Sequence, residues 1–215
     1  MINSEPYNPL DTKNLGASVA EALLETTPVS MSEILPFAGA GIYAIYYVGD
    51  FEAYHDISER NREGLFQWPL YIGKAIPAGG RKGGGRADGT TGSPLFKRLR
   101  EHRQSLEAAQ NLIVDHFHCR ALVVEDIWIP LGEALLISKF APVWNRLVDG
   151  FGNHTPGAGR FAGMRPRWDV LHPGRGWAEH CQPRAETAEQ IANEVRAYTR
   201  SAVIPAHPRL TNVAD

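Results

Sequence analysis

Apolar and polar positions along the chain mark out helices and strands in turn. Residues 12–26 (TKNLGASVAEALLET) carry Leu15, Val19, Ala22 and Leu23 along one side at helical spacing, and Pro28 ends the run. Residues 41–48 (GIYAIYYV) alternate poorly, but their β-branched and aromatic content predicts a strand. Residues 49–68 are mostly polar, open with Gly49 and contain Gly64, which predicts a longer loop with room for a helical turn. A second strand follows at 69–75. It should pair antiparallel with the first, because a parallel pair needs a full crossover. Seven of the twenty residues 75–94 are glycine, which excludes a helix or regular strand there. Ser93-Pro94 then reads as an N-cap and first position of a helix whose buried stripe is Leu95, Leu99 and Leu106. Residues 116–125 predict a third strand. Pro130 opens and Pro142 closes a helix in which Leu131, Ala134, Leu135, Leu136, Ile137 and Phe140 leave almost no polar face, so burial on most sides is expected. Residues 150–183, rich in Gly, Pro and Arg, read as a long irregular excursion. A helix over 185–200 closes the chain, and no internal repeat is present.

A length of 215 residues suits one domain with extensions. No apolar run is long enough to span a membrane, and the first residues lack the basic and apolar stretches of a secretory signal. Cys119 and Cys181 form no CxxC and read as reduced thiols, so a cytoplasmic protein is expected. The net charge of −2 argues against a polyanion partner, but its distribution changes that picture. Residues 74–103 hold eight basic residues against Asp88 and Glu101, whereas the first 36 hold five acids against Lys13. One face can therefore meet nucleic acid while the rest stays acidic.

Candidate chemistry follows. Glu133 is the only acid in its apolar helix, and a carboxylate there is costly unless a cation or a basic side chain meets it. Arg98 and His102 stand four apart, on one face of a helix that also carries the solvated bases Arg100 and Arg103. Arg98 suits a phosphate. His102 suits the proton of a tyrosine. Tyr43 and Tyr71 each sit in a tripeptide with glycine, and a phenol, with an ordinary pKa of about 10, needs help from His102, Lys74 or a metal to act as a base. Lys74 directly follows Tyr71-Ile72-Gly73. Asn145, in APVWNRL, suits a phosphate contact or the orientation of Glu133. Taken singly, each also has an ordinary structural reading: aromatic packing, a solvated face, a turn asparagine.

Their order resembles that of the GIY-YIG nuclease superfamily: Gly41-Ile42-Tyr43, Tyr71-Ile72-Gly73, a helix with Arg98, a glutamate helix with Glu133, then Asn145. The resemblance spans about residues 38–150. It implies an α/β (α+β) fold with a small three-stranded antiparallel sheet flanked by helices. The chain would divide into an N-terminal helical extension (1–37), a nuclease core (38–150) with a Gly/Arg insertion (76–92), and a DNA-contacting loop with a closing helix (151–215). The resemblance also implies catalytic roles for Tyr43, Tyr71, Arg98, His102, Glu133 and Asn145, with Lys74 in support. Glu133 would hold one divalent cation, Mg²⁺ or alternatively Mn²⁺, and Arg98 the scissile phosphate. Tyr43, relayed to His102, would activate the water, with Tyr71 positioning the phosphate. Many members carry tyrosine where His102 stands here.

The tail GFGNHTPGAGRFAGMRPRWDVLHPGRGWAEH resembles the type II restriction enzymes that cut CCGCGG. Arginine bidentate to guanine suits such a site. The expected DNA contacts are Arg81, Lys82, Arg86, Asn153, His154, Arg160, Arg165, Arg167 and Arg175. A palindrome in double-stranded DNA implies a homodimer, with the 15–23 helix serving its interface or packing on the core. A restriction enzyme also implies a cognate DNA methyltransferase. The competing readings are a less specific repair or mobile-element nuclease, which would be expected to bring a partner domain, and a non-catalytic DNA-binding remnant, against which the retained Glu133, Arg98 and tyrosines speak.

Overall fold

The computed structural model describes residues 11–76, 92–153 and 163–203. Strands β1 (Val29–Ser30), β2 (Gly41–Tyr47), β3 (Tyr71–Ala75) and β4 (Phe117–Val123) form one antiparallel sheet in the order β1-β4-β2-β3. The helices are α1 (Thr12–Glu25), α2 (His55–Asn61), α3 (Pro94–Ala108), α4 (Ile129–Phe140), α5 (Val143–Arg146), α6 (Arg167–Leu171), α7 (Gly176–Glu179) and α8 (Ala188–Ser201). The α+β class is as expected, but the sheet has four strands instead of three. The extra strand, β1, pairs only Val29 and Ser30 with β4 and is too short to show a period.

Every residue of β2 is buried. Tyr43, Ile45 and Tyr47 face one helical layer, and Ile42, Ala44 and Tyr46 face the other. A strand covered on both sides has no solvent face to make polar, which is why residues 41–48 alternate poorly. On one side Ala17, Ala20, Leu23 and Leu24 of α1 pack with Ile129, Leu136 and Phe140 of α4. Each leucine buried there contributes about 1.5–3 kcal/mol. This side of α1 packs on the core, one of its two expected roles; of the predicted stripe Leu23 is fully buried, and Leu15, Val19 and Ala22 are half-buried. Helix α4 is less enclosed than its composition suggests, because Ala134 and Ser138 are exposed.

On the other side Leu95, Leu99 and Leu106 of α3 join Trp144, Phe151 and Trp168. Ser93 precedes α3 but makes no capping bond through its side chain, so Pro94 alone marks the start. The 49–68 segment holds α2 between two 3₁₀ turns and is more ordered than the expected loop. Buried Asn61 secures it: Nδ2 donates to the carbonyls of Tyr47 and Trp68, and Oδ1 accepts from Trp68 N–H. Both cysteines are buried free thiols, and burial pushes Cys119 up to about 12. Among the described residues no helix is long and apolar enough to cross a membrane.

The described residues of the 150–183 excursion are more structured than expected. They carry α6 and α7, and they dock through a buried relay. His172 Nδ1 lies 2.9 Å from Asn111 Oδ1, and His172 Nε2 lies 2.6 Å from Tyr54 Oη, which also accepts from Trp144 Nε1–H at 2.7 Å. A neutral imidazole protonated on Nδ1 satisfies all three partners. Burial, and secondarily the Arg175 charge, lower the His172 pKa to about 3 from 6.5. The unfolded chain therefore binds the proton first. The stability contributed by neutral His172 is full above pH 6.5 and is lost as pH falls towards 3. Urea midpoints should drop through that window in the wild type, and less steeply in His172→Gln, which starts lower at pH 7 because Tyr54 and Asn111 lose their partner. Equal pH slopes in the two proteins would contradict this account.

Candidate active site

Tyr43 of β2 stands opposite Gly73 of β3. A Cβ at Gly73 would lie 2.4 Å from Tyr43 Oη, so only glycine lets the phenol lie across the neighbouring strand. Tyr71, two residues earlier, points to the same face, and the two rings are 6.1 Å apart. Helix α3 brings Arg98 and His102 to this face one turn apart. Tyr43 Oη and His102 Nε2 are 2.6 Å apart, with both residues buried. Arg98 lies beside both phenols, and its Nη2 donates to the Gly152 carbonyl at 2.8 Å. Tyr43, Tyr71, Arg98 and His102 are thus brought together as the sequence suggested.

Burial, and then the neighbouring Tyr71, hold the Tyr43 pKa well above the ordinary phenol value, while Arg98 pulls the other way. Burial also raises Tyr71, again opposed by Arg98. Both phenols are therefore neutral at rest. Tyr71 is the more exposed of the two and fronts the cluster.

Alternation along β3 sends Lys74 to the opposite face from Tyr71 and Gly73. There Lys74 Nζ meets Glu133 Oε2 of α4 at 2.6 Å. Because β3 is an edge strand, this pair remains near the phenols, and the Glu133 charge is felt at Tyr71. The site thus wraps around the sheet edge. Among the described residues no three His, Cys, Asp or Glu converge in a metal-holding group. A hard cation held by one carboxylate with substrate phosphate and water needs no such group. Glu133, with its side chain 17% exposed, fits that role.

Asn145 lies on α5, against β3. Its Oδ1 accepts from Ile72 N–H and its Nδ2 donates to Ile72 C=O, both at 2.8 Å. It grips the backbone between Tyr71 and Gly73, a positioning contact that differs from the expected phosphate or Glu133 contact.

The expected DNA-reading residues divide. Arg81, Lys82, Arg86, His154 and Arg160 lie outside the described residues. Asn153 is exposed. Arg165 donates to the carbonyls of Ala178 and Glu179, and Arg167 pairs with Glu194. Arg175 is 5% exposed and forms a buried pair with Asp169. All three arginines bond the chain's own carbonyls or carboxylates; Arg175 is buried with its donors taken up, whereas Arg165 and Arg167 are half-buried. An excursion with short helices leaves many carbonyls unpaired, and guanidinium donors meet them.

The sequence reading missed Phe151 and Gly152. The Phe151 ring stacks on His102 at 4.4 Å and meets Tyr71 edge-on at 5.1 Å. The only signal was the tight GFGN run.

No curated protein matches the chain. A family model described as the Eco29kI GIY-YIG domain matches residues 35–199, well over half the length. That span takes in both tripeptide strands, the Arg98 and Glu133 helices and the docked excursion. The chain belongs to the Eco29kI GIY-YIG family of restriction endonucleases.

Proposed function

We propose that the protein is a type II restriction endonuclease that hydrolyses double-stranded DNA at a short G/C palindrome, CCGCGG. It would act as a homodimer in a bacterial cytoplasm, beside a methyltransferase that protects the same site. The observation that carries the chemistry is the 2.6 Å contact of Tyr43 Oη with His102 Nε2, flanked by Arg98 and Tyr71.

In this reading Arg98 binds the scissile phosphate and Tyr71 orients it. The attacking water gives a proton to Tyr43 oxygen as the Tyr43 proton passes to His102 Nε2. The two transfers go together, because burial disfavours a standing tyrosinate. A bond forms from the water oxygen to phosphorus as the bond to the leaving sugar oxygen breaks, with no covalent enzyme intermediate. Glu133 would hold a divalent cation, Mg²⁺ or Mn²⁺, which would supply positive charge against the negative charge that builds up in the step. Lys74, paired with Glu133 on the other face of β3, would add positive charge at the sheet edge beside the scissile phosphate. With Arg175 buried, base reading would fall mainly to Arg81, Lys82, Arg86, Asn153, His154 and Arg160, and the arginine guanidinium groups among them suit guanine.

Incubation of the purified protein with plasmid and Mg²⁺, followed by sequencing of fragment ends, tests this. Discrete ends at CCGCGG are expected. Scattered ends would remove the site assignment and leave a less specific nuclease.

A further inference from the structure

Arg175 was expected at the DNA, and its buried position suggests a different role. All five of its N–H donors are used. Nε and Nη2 bind the two Asp169 carboxylate oxygens at 2.6 and 2.5 Å. Nη1 donates to the carbonyls of Phe151 and Asn153 at 3.1 and 3.2 Å, and Nη2 to that of Gly150 at 2.9 Å. The guanidinium lies between the rings of Trp168 and Trp177, at 4.4 and 4.8 Å. One side chain thus holds three carbonyls of a single four-residue turn. Asp169 and the two tryptophans fix its own position.

The front of that turn touches the catalytic cluster. The Gly152 carbonyl holds Arg98 Nη2, and the Phe151 ring covers His102 and meets Tyr71. A Cβ at Gly152 would stand 2.9 Å from Tyr71 Oη and 3.0 Å from Arg98 Nη2. The turn therefore fits against three side chains of the site with no spare room.

We propose that Arg175, clamped by Asp169, is a positioning residue of the nuclease: it shapes the 150–153 turn that sets Arg98, His102 and Tyr71 in their working geometry. This rests on the proposed catalytic roles of those three residues. The C-terminal excursion is then part of the catalytic apparatus, and the clamp acts from behind the site without contacting substrate.

Arg175→Lys tests the clamp. Lysine can still pair with Asp169, but its point charge cannot span three carbonyls as the planar fork does. Single-turnover cleavage at saturating DNA should fall about 100-fold, the usual penalty for a shift of about 1 Å in a reacting group. The Kd for the same DNA without divalent cation should stay within about threefold, because the residue lies off the DNA face. Gly152→Ala leaves the buried ion pair intact and should lose rate in the same way, so a folding failure of the lysine variant does not remove the test. In an Arg98→Lys background the loss from Arg175→Lys should shrink to a few-fold, because the two act through one unit.

Three results would overturn the proposal. One is a lowered Tm with an unchanged rate in the folded Arg175→Lys protein. Another is a weakened Kd with a wild-type rate once the DNA is saturating. The third is a full rate in Gly152→Ala. A wild type that cleaves no DNA would instead remove the catalytic reading, and this inference with it, before any variant is made.

Discussion

Glu133→Gln should abolish cleavage, with a loss of about 10³-fold or more, since a cation at a phosphate contributes several kcal/mol to the barrier. The substitution keeps the shape of the side chain and removes its charge. Its partner Lys74 is 35% exposed and can turn to solvent, so the fold should lose at most about 1 kcal/mol, as for other partly exposed ion pairs. Mg²⁺ titration of wild type and variant separates the outcomes. A wild-type rate that saturates with Mg²⁺, beside a variant that stays flat, supports Glu133 as the ligand. A variant with the same Mg²⁺ dependence and rate would move the cation elsewhere. DNA binding without cation should hold or tighten, because one negative charge has left a face that meets phosphates.

Tyr43→Phe should cut the single-turnover rate by about 10²–10⁴-fold, the range for losing a positioned acid–base group. The ring remains, so its contacts with Tyr71 and His102, at 6.1 and 5.4 Å, are kept. His102 is 1% exposed, and loss of its hydroxyl partner at Nε2 should destabilise the fold by about 1–3 kcal/mol. Rapid-quench cleavage beside a thermal melt distinguishes the two effects. A variant that melts lower yet cleaves at the wild-type rate would make the Tyr43–His102 contact purely structural. The same substitution at Tyr71 gives an internal comparison, since that phenol would orient the phosphate without passing a proton to His102.

Much of the site was legible in the chain because its parts are local. Four-residue spacing on one helix is enough to put Arg98 and His102 on one face. The solitary carboxylate of α4 stood out against apolar neighbours. The glycine in each tyrosine's tripeptide was visible too, but that Gly73 leaves room for the Tyr43 phenol is seen only in the structure. What escaped was long-range. No pattern near residue 98 announces that its guanidinium meets a carbonyl 54 residues later. An arginine in a Gly/Pro-rich stretch looks the same whether its donors meet phosphates or the chain's own carbonyls. That ambiguity sent Arg165, Arg167 and Arg175 to the DNA in the sequence reading. Helix α2 was hidden for another reason: seven residues between turns give too short a period to read.

The grip of Asn145 on Ile72 also bears on how two copies can meet. β3 ends the sheet, and an open edge strand invites a strand from another molecule. Here the amide group of Asn145 occupies both the N–H and the C=O of Ile72, and Trp144 N–H takes the Leu70 carbonyl at 3.1 Å. A second copy cannot extend the sheet past Ile72 without first prising Asn145 away. One asparagine therefore closes the β3 edge, the edge that carries Tyr71, to a strand from another molecule.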